Sequence, residues 1–205
     1  MTKPRPLAGL LSKILVGTAL AASLSGCVAL AVGGAATAAL SANDRRTIGM
    51  QTEDKSINVK AEIKMQQLTG EHGHVNVTSY NRKVLLTGEV RDEAMKQAAE
   101  REVRAIANVV SVINELEIAG PSSYTSRSND ALITTKVKAS LVDKKTISAS
   151  SFKVTTERGV VYLMGLVTQR EGNIAADVAK GIHGVTRVVK IFEYISEEDA
   201  KTQST

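Results

Sequence analysis

The sequence predicts an α+β fold in which a small unit of helix, strand, strand, helix and strand occurs twice. Apolar residues follow helical spacing in some segments and alternate in others, and the two halves of the chain match each other. The matched residues include Val77, Leu86 and Gly88 in the first copy and Val154, Leu163 and Gly165 in the second, at an offset of 77. We therefore expect two small tandem domains, at residues 53–118 and 129–195.

The first domain is predicted to open with a helix from about residue 53. Ile57, Ala61 and Met65 recur every four residues and fall on one face, and Thr52 is placed to cap the N-terminus. The elements expected after it are strands at 75–80 and 84–90, a helix at 92–106 with Ala94, Ala98, Val103 and Ile106 buried, and a strand at 109–118.

A polar linker at residues 119–128 separates the two domains, and the second copy repeats the same order. Its last helix is followed by Gly184, at a position where a left-handed residue is favoured, and the first copy has the tolerant residue Asn108 there. The acidic tail at residues 196–205 is predicted to be disordered.

The N-terminus is typical of a secretory signal peptide covering residues 1–26. Three basic residues precede an apolar run at 14–24 that is too short to span a bilayer, and small residues precede Cys27. This arrangement resembles the lipobox of bacterial lipoproteins, which implies that Cys27 is acylated and becomes the new N-terminus. The alternative is an ordinary signal peptide with a free cysteine beside it. Because Cys27 is the only cysteine, no intramolecular disulfide can form.

Residues 27–52 are expected to form an acylated, flexible tether. Residues 28–42 are mostly Ala, Gly, Val and Leu, so the alternative is a transmembrane helix, which the two glycines and the small side chains disfavour. Lipoproteins retained in the inner membrane usually carry Asp where this chain has Val28. The resemblance therefore implies a lipid anchor in the outer membrane, with the domains facing the periplasm.

Charge and motifs exclude several classes of function. Without residues 1–26 the chain has 23 basic and 21 acidic residues, and no concentrated basic stripe of the kind that binds nucleic acid. No nucleophile elbow, phosphate loop or zinc-binding motif is present, so we expect neither an enzyme nor a bound cofactor. His72 and His74 could offer two metal ligands, but nothing nearby completes a set, and we expect no metal there.

Three segments carry a resemblance to a known family: Asp44-x-Arg46-Thr47-x-Gly49-x-Gln51, Asn129-Asp130-x-x-Ile133-Thr134-Thr135-Lys136-Val137, and the run from Val154-Thr155 through Gly165 to Arg170-Glu171. The repeated unit is similar to the BON domain, and the pair behind a lipobox resembles the dual BON-domain outer-membrane lipoproteins of Gram-negative bacteria. The resemblance implies that each domain is a small three-stranded mixed sheet packed against two helices. It covers nearly all of the chain from the tether to residue 195.

The helix at about residues 129–142 carries the candidate binding surface. Ile133, Val137 and Leu141 share the face that must be core. Apolar groups on another face could enter a lipid headgroup layer, and each nearby lysine adds about 1 kcal/mol at an anionic surface. This face has no Trp or Tyr anchor within those bounds, so we expect weak affinity. The predicted phospholipid-binding residues are Leu132, Thr135, Lys136, Lys138, Ala139 and Val142.

A different explanation for this face is packing against the other domain. The first helix carries a comparable stripe with Val59 and Ile63, and an interdomain contact would bury both stripes.

Two hypotheses of function remain. By resemblance, the second domain binds anionic phospholipid, with phosphatidylglycerol as the expected ligand, and the protein helps to maintain envelope integrity. Alternatively, the chain is a periplasmic protein-binding or chaperone-like module that assists outer-membrane protein assembly or survival under stress.

Overall fold

Helix, strand, strand, helix and strand follow one another twice in the computed structural model, which describes residues 44–202. The predicted α+β order is confirmed. The first copy comprises α1 (Ile48–Thr69), β1 (His74–Tyr80), β2 (Lys83–Val90), α2 (Glu93–Arg104) and β3 (Ser111–Ile118). The second comprises α3 (Tyr124–Asp143), a 3-10 turn (Ala149–Ser151), β4 (Phe152–Glu157), β5 (Val160–Val167), α4 (Gln169–Lys180) and β6 (Arg187–Tyr194), followed by α5 (Glu197–Thr202).

The predicted signal peptide at 1–26, Cys27 and the tether up to residue 43 lie outside the described residues. Between residues 44 and 202, no helix combines the length and the apolar character needed to cross a bilayer.

Each copy forms its own three-stranded mixed sheet, as expected. The strand orders are β1-β2-β3 and β4-β5-β6. The first two strands of each sheet are antiparallel, with Val77 opposite Leu86 in one copy and Val154 opposite Leu163 in the other. The third strand is parallel to the second, which the crossover through α2 or α4 permits.

One face of each sheet packs against its helices. The predicted inward residues Ile57, Ala61 and Met65 of α1 are buried in the first core. In α2, however, the buried stripe is Met95, Ala99 and Val103, whereas the predicted Ala94 is exposed. Ala94 and Val103 cannot share a helix face. Nine residues separate them, and because a helix turns by 100° per residue, they lie on opposite sides of α2.

Two helix starts differ from the predictions, and one helix was not predicted. α1 begins at Ile48 because the Thr47 hydroxyl accepts a hydrogen bond from the Met50 N–H, and Thr52 lies inside the helix. α3 begins at Tyr124, within the expected linker, because Ser123 caps it in the same way. In the tail that was predicted to be disordered, residues 197–202 form a helix, and the Ser196 hydroxyl accepts from the Asp199 N–H.

The second face of each sheet packs against the other sheet. Tyr80 and Leu85 form a buried cluster with Val160, Tyr162 and Met164. At the edge of this contact, the Thr78 and Thr155 hydroxyls lie 3.1 Å apart. These two threonines occupy equivalent positions in the repeat, so the domains meet with approximate two-fold symmetry.

Two adjacent arginines before α1 bind different domains. The Arg45 guanidinium donates to both carboxylate oxygens of Glu171, at 2.7 and 2.9 Å, and to the Leu166 carbonyl at 3.0 Å. Arg46 donates to Asp54 at 2.8 Å and lies over the Tyr80 ring, 4.0 Å from its centroid. The segment that enters the fold therefore holds the two domains together.

Breaking the Arg45 contact should destabilise the fold. Burial alone would raise the pKa of Glu171, but Arg45 and the Thr168 N–H hold it below its usual value. Arg45→Met removes the partner of a buried carboxylate and should lower the free energy of unfolding by about 3–5 kcal/mol. Lys64→Met is the control, because its pair with Glu102 is solvent-exposed and should contribute less than about 1 kcal/mol. Equal losses in urea denaturation would contradict this ranking.

Gly88 should tolerate no side chain. Its φ is +111°, and a Cβ there would lie 1.9 Å from the His74 carbonyl oxygen on the paired strand. We expect Gly88→Ala to cost about 3 kcal/mol in urea unfolding. Gly120→Ala, where a Cβ would meet nothing within 4 Å, should change stability by less than about 0.5 kcal/mol. A neutral Gly88→Ala variant would show that β1 and β2 can separate at this point without cost.

Candidate functional site

Helix α3 presents one face to the core and another to solvent. Ile133, Val137 and Leu141 are buried, as predicted. The structure brings the six predicted lipid-binding residues together on the outside of the helix, and all six are exposed. Leu132 and Val142 are 60% and 67% exposed, so each presents most of its apolar surface to water.

The orientation of α3 is fixed by a buried aspartate that sequence reasoning left without a role. Asp130 accepts hydrogen bonds from the backbone N–H groups of Arg158 and Gly159, which form the turn between β4 and β5. In the first domain, Asp54 accepts in the same way from Asn81 and Arg82. The pattern Asp-x-x-Ile occurs at both 54–57 and 130–133, and in each copy its aspartate ties the opening helix to the hairpin. The side of α3 opposite this tie faces outward.

The exposed face also contains an aromatic residue that the predicted helix boundary had excluded. Tyr124 is 84% exposed. It lies eleven residues, or about three turns, before Thr135, which places both on the same side of α3. The expectation that this face has no Trp or Tyr is therefore wrong, because the helix begins five residues earlier than predicted.

The outer face of α3 does not pack against the first domain. The sheets meet instead, and the matching stripe on α1 also stays in solvent, with Val59 56% and Ile63 51% exposed. The alternative explanation, that an interdomain contact buries both stripes, is therefore wrong.

Lysines dominate the charge around this face. Lys136 and Lys138 are exposed, and so are Lys144 and Lys145 just beyond the end of the helix. In the part of the chain described, none of the four forms an ion pair, and Asp143 is the only acidic residue among positions 131–145. The surface is therefore apolar and locally cationic.

A polar groove with a volume of about 530 Å³ lies beside this face, between α3 and the edge strands β1 and β4. Lys138 and Lys153 line one end. Threonines line the middle, where Thr134 donates to the Thr156 hydroxyl at 2.7 Å. Sequence analysis did not identify this groove, because it forms only when the two domains meet.

The other end of the groove holds buried acidic groups. Asn76 donates to Glu157 at 2.6 Å. Burial raises the pKa of Glu157 to about 7 against the lowering effect of Asn76, and the nearby Glu89 and Asp130 raise it further. Arg127 also faces this end and lowers the pKa of Glu157, while Arg158 lies 3.7 Å from the fully buried Glu89.

His74 also lines the groove, but His72 does not. Its ring contacts Asn76 at 3.2 Å, and burial together with Arg127 lowers its pKa. Within residues 44–202, no group of three acidic, histidine or cysteine side chains is arranged to hold a metal ion.

The fold therefore defines a class: a protein with two tandem helix, strand, strand, helix, strand domains. Residues 56–120 and 129–195 match the BON domain, and the chain belongs to the BON-domain family.

Two relatives show where in the BON-domain family the chain belongs. The chain is 39% identical over 175 residues to the outer membrane lipoprotein DolP of Haemophilus influenzae, covering 84% of this chain and 90% of that protein. It is 29% identical over 154 residues to the 21 kDa hemolysin of Actinobacillus pleuropneumoniae, covering 74% of this chain and 79% of the relative. The predicted relation to dual BON-domain lipoproteins and the lipid-anchored outer-membrane location are confirmed.

A weaker likeness exists to a solved structure, the C-terminal domain of CdsD, the structural protein of the type III secretion system of Chlamydia trachomatis. Identity is 12% and the TM-score is 0.29, over 67% of this chain and 96% of that one.

Glu157 should make stability depend on pH. With its pKa raised from 4.5 to about 7, the folded state retains a proton that the unfolded state loses as pH rises through this window. The free energy of unfolding should therefore fall between about pH 4.5 and 7, on the order of 2–3 kcal/mol. Glu157→Gln keeps this position neutral, so the difference in stability between the variant and the wild type should grow with pH. A difference that is constant from pH 4.5 to 8 would contradict the assignment.

Proposed function

We propose that this protein is a non-enzymatic lipoprotein whose second domain binds anionic phospholipid through the outer face of α3, and that it thereby supports envelope integrity from the periplasmic side of the outer membrane. The observation that carries the proposal is the exposed apolar face of α3, bordered by lysines that form no ion pair with any residue between 44 and 202. Phosphatidylglycerol is the proposed ligand, because its headgroup has a net negative charge that these lysines can neutralise.

Apolar contacts and charge would share the binding energy. Leu132 and Val142 project from the helix and can enter the headgroup boundary, and Tyr124 is suited to the interface because its ring is apolar and its hydroxyl polar. Each lysine near an anionic surface adds about 1 kcal/mol, an effect that salt screens. Binding should therefore be modest, selective for anionic lipid and sensitive to ionic strength.

The proposed anchor makes modest binding sufficient. We propose that residues 1–26 are removed as a signal peptide and that Cys27 carries the acyl chains. One acyl chain holds a protein to a membrane only marginally, whereas several together hold it stably. With the anchor supplying residence at the membrane, α3 need only select which lipids surround it.

The competing function is a protein-binding module whose exposed helix faces take up polypeptide during outer-membrane protein assembly or stress. One observation favours it: the α1 stripe with Val59 and Ile63 is about half exposed, and it has the acidic Glu62 beside it as well as lysines, so its charge is mixed and not cationic. The two functions differ in their dependence on lipid charge.

Vesicle flotation separates the two functions. A fragment of residues 43–205 lacks Cys27 but retains both cores and every contact described above. We expect it to float with vesicles containing phosphatidylglycerol and not with phosphatidylcholine vesicles. Leu132→Asp should abolish flotation, because it places a charge on the apolar face, without changing the thermal unfolding midpoint, because Leu132 lies outside the core.

Val59→Asp is the matched control, because Val59 is equally exposed on the corresponding helix of the first domain. Flotation of this variant should equal that of the wild type. Equal binding of the wild-type fragment to neutral and anionic vesicles would instead favour the protein-binding function.

A further inference from the structure

Lys153 lies at one end of the groove beside α3. Within residues 44–202, neither it nor Lys138 across the groove makes an ion pair or a side-chain hydrogen bond. Desolvation lowers the pKa of Lys153, and the charge of Lys138 lowers it further. Two lysines that disfavour each other's charge form a site in which a bound anion would relieve the repulsion.

The nearby carboxylates do not neutralise this pair. Asp54 and Asp44 raise the pKa of Lys153, but both are already bound to Arg46, at 2.8 and 2.6 Å. Arg46 adds a further positive charge on the same side. The end of the groove near Lys153 therefore keeps an excess of positive charge.

Lys138 connects this end of the groove to the exposed face of α3. Thr134, Lys138 and Val142 are spaced by four residues and form one row along the helix. Thr134 lines the groove, and Val142 belongs to the exposed apolar face. A lipid whose acyl region meets Val142 would thus place its headgroup at Lys138.

The groove also discriminates between headgroup chemistries. Lys153, Thr155 and Glu157 follow one another on the same side of β4, so at about 3.3 Å per residue the lysine and the carboxylate lie roughly 13 Å apart. A phosphate bound between Lys153 and Lys138 would therefore have threonine hydroxyl groups beside it, with Glu157 too far away to contact it and Asp44 and Asp54 already paired with Arg46. Hydroxyls can pair with the alcohol groups of a glycerol headgroup but cannot neutralise an ammonium group.

We infer that Lys153 and Lys138 bind the phosphodiester of an anionic phospholipid, with the threonine-lined part of the groove receiving the rest of the headgroup. This inference rests on the proposed function and adds a headgroup site, on a strand, to the face of α3. It makes Lys153 a lipid ligand that lies outside the helix.

Lysine footprinting of the full acylated chain in nanodiscs tests the site. Acetylation by a water-soluble reagent, read residue by residue by mass spectrometry, is compared in discs of phosphatidylcholine with and without phosphatidylglycerol. Lys153 and Lys138 should react about fivefold more slowly in the anionic discs, which corresponds to the contribution of one lysine near an anionic surface. Lys190, an exposed lysine on the opposite edge strand of the same sheet, should change less than about twofold.

Variants in the flotation assay give the second measurement. Lys153→Gln should weaken binding to phosphatidylglycerol vesicles about fivefold, Lys153→Arg should retain it, and Lys190→Gln should match the wild type. If the wild-type fragment does not float with phosphatidylglycerol vesicles, or floats as well when Leu132 is changed to Asp, the proposed function is overturned.

If flotation is intact but Lys153 reacts equally fast in both kinds of disc, the headgroup site is overturned and the proposed function is not. The same holds if the Lys153→Gln variant binds as well as the Lys190→Gln variant. Inorganic phosphate tests the remaining explanation. If it protects Lys153 as well as the lipid does at equal concentration, the site holds an adventitious ion only, and the inference fails.

Discussion

The contact between the two sheets is the interaction on which the rest of the structure depends. A unit of about 65 residues buries a smaller fraction of its surface on folding than a larger domain does, and it is only marginally stable alone. Here each sheet buries both faces, one under its own helices and one against its neighbour through Tyr80, Leu85 and Tyr162. Because the sheets fill the centre, the helices lie outside, and their outer faces remain available for binding.

The order of elements and the core of α3 could be predicted because they depend on local periodicity. The helical spacing of Ile133 and Val137 predicts that they are buried, and they are. Gly184 and Asn108, which follow α4 and α2, have the expected left-handed conformation, with φ of +96° and +69°. The Arg45–Glu171 pair could not be predicted, since 126 residues separate its members and no local pattern links them. The groove was missed for the same reason, because its walls come from both domains.

Helix boundaries proved to be the most consequential error. Capping by Ser123 depends on one hydroxyl and one backbone N–H, a signal too common in sequences to be decisive. Moving the start of α3 by five residues added Tyr124 to the exposed face. The exposed face therefore ends in a Tyr, a residue type that is enriched at membrane interfaces.

The proposed division of work between the lipid anchor and α3 follows from effective concentration. Once acyl chains hold the protein at a membrane, a second contact is effectively intramolecular, and its local concentration is set by the tether. Weak contacts then suffice for occupancy, whereas strong ones would hold the domains on any lipid. A face with only a few apolar side chains and several lysines fits this requirement, because under the proposed function charge and not buried area would select the lipid. The buried Arg45–Glu171 pair contributes by fixing the end of the tether to the domain that carries that face.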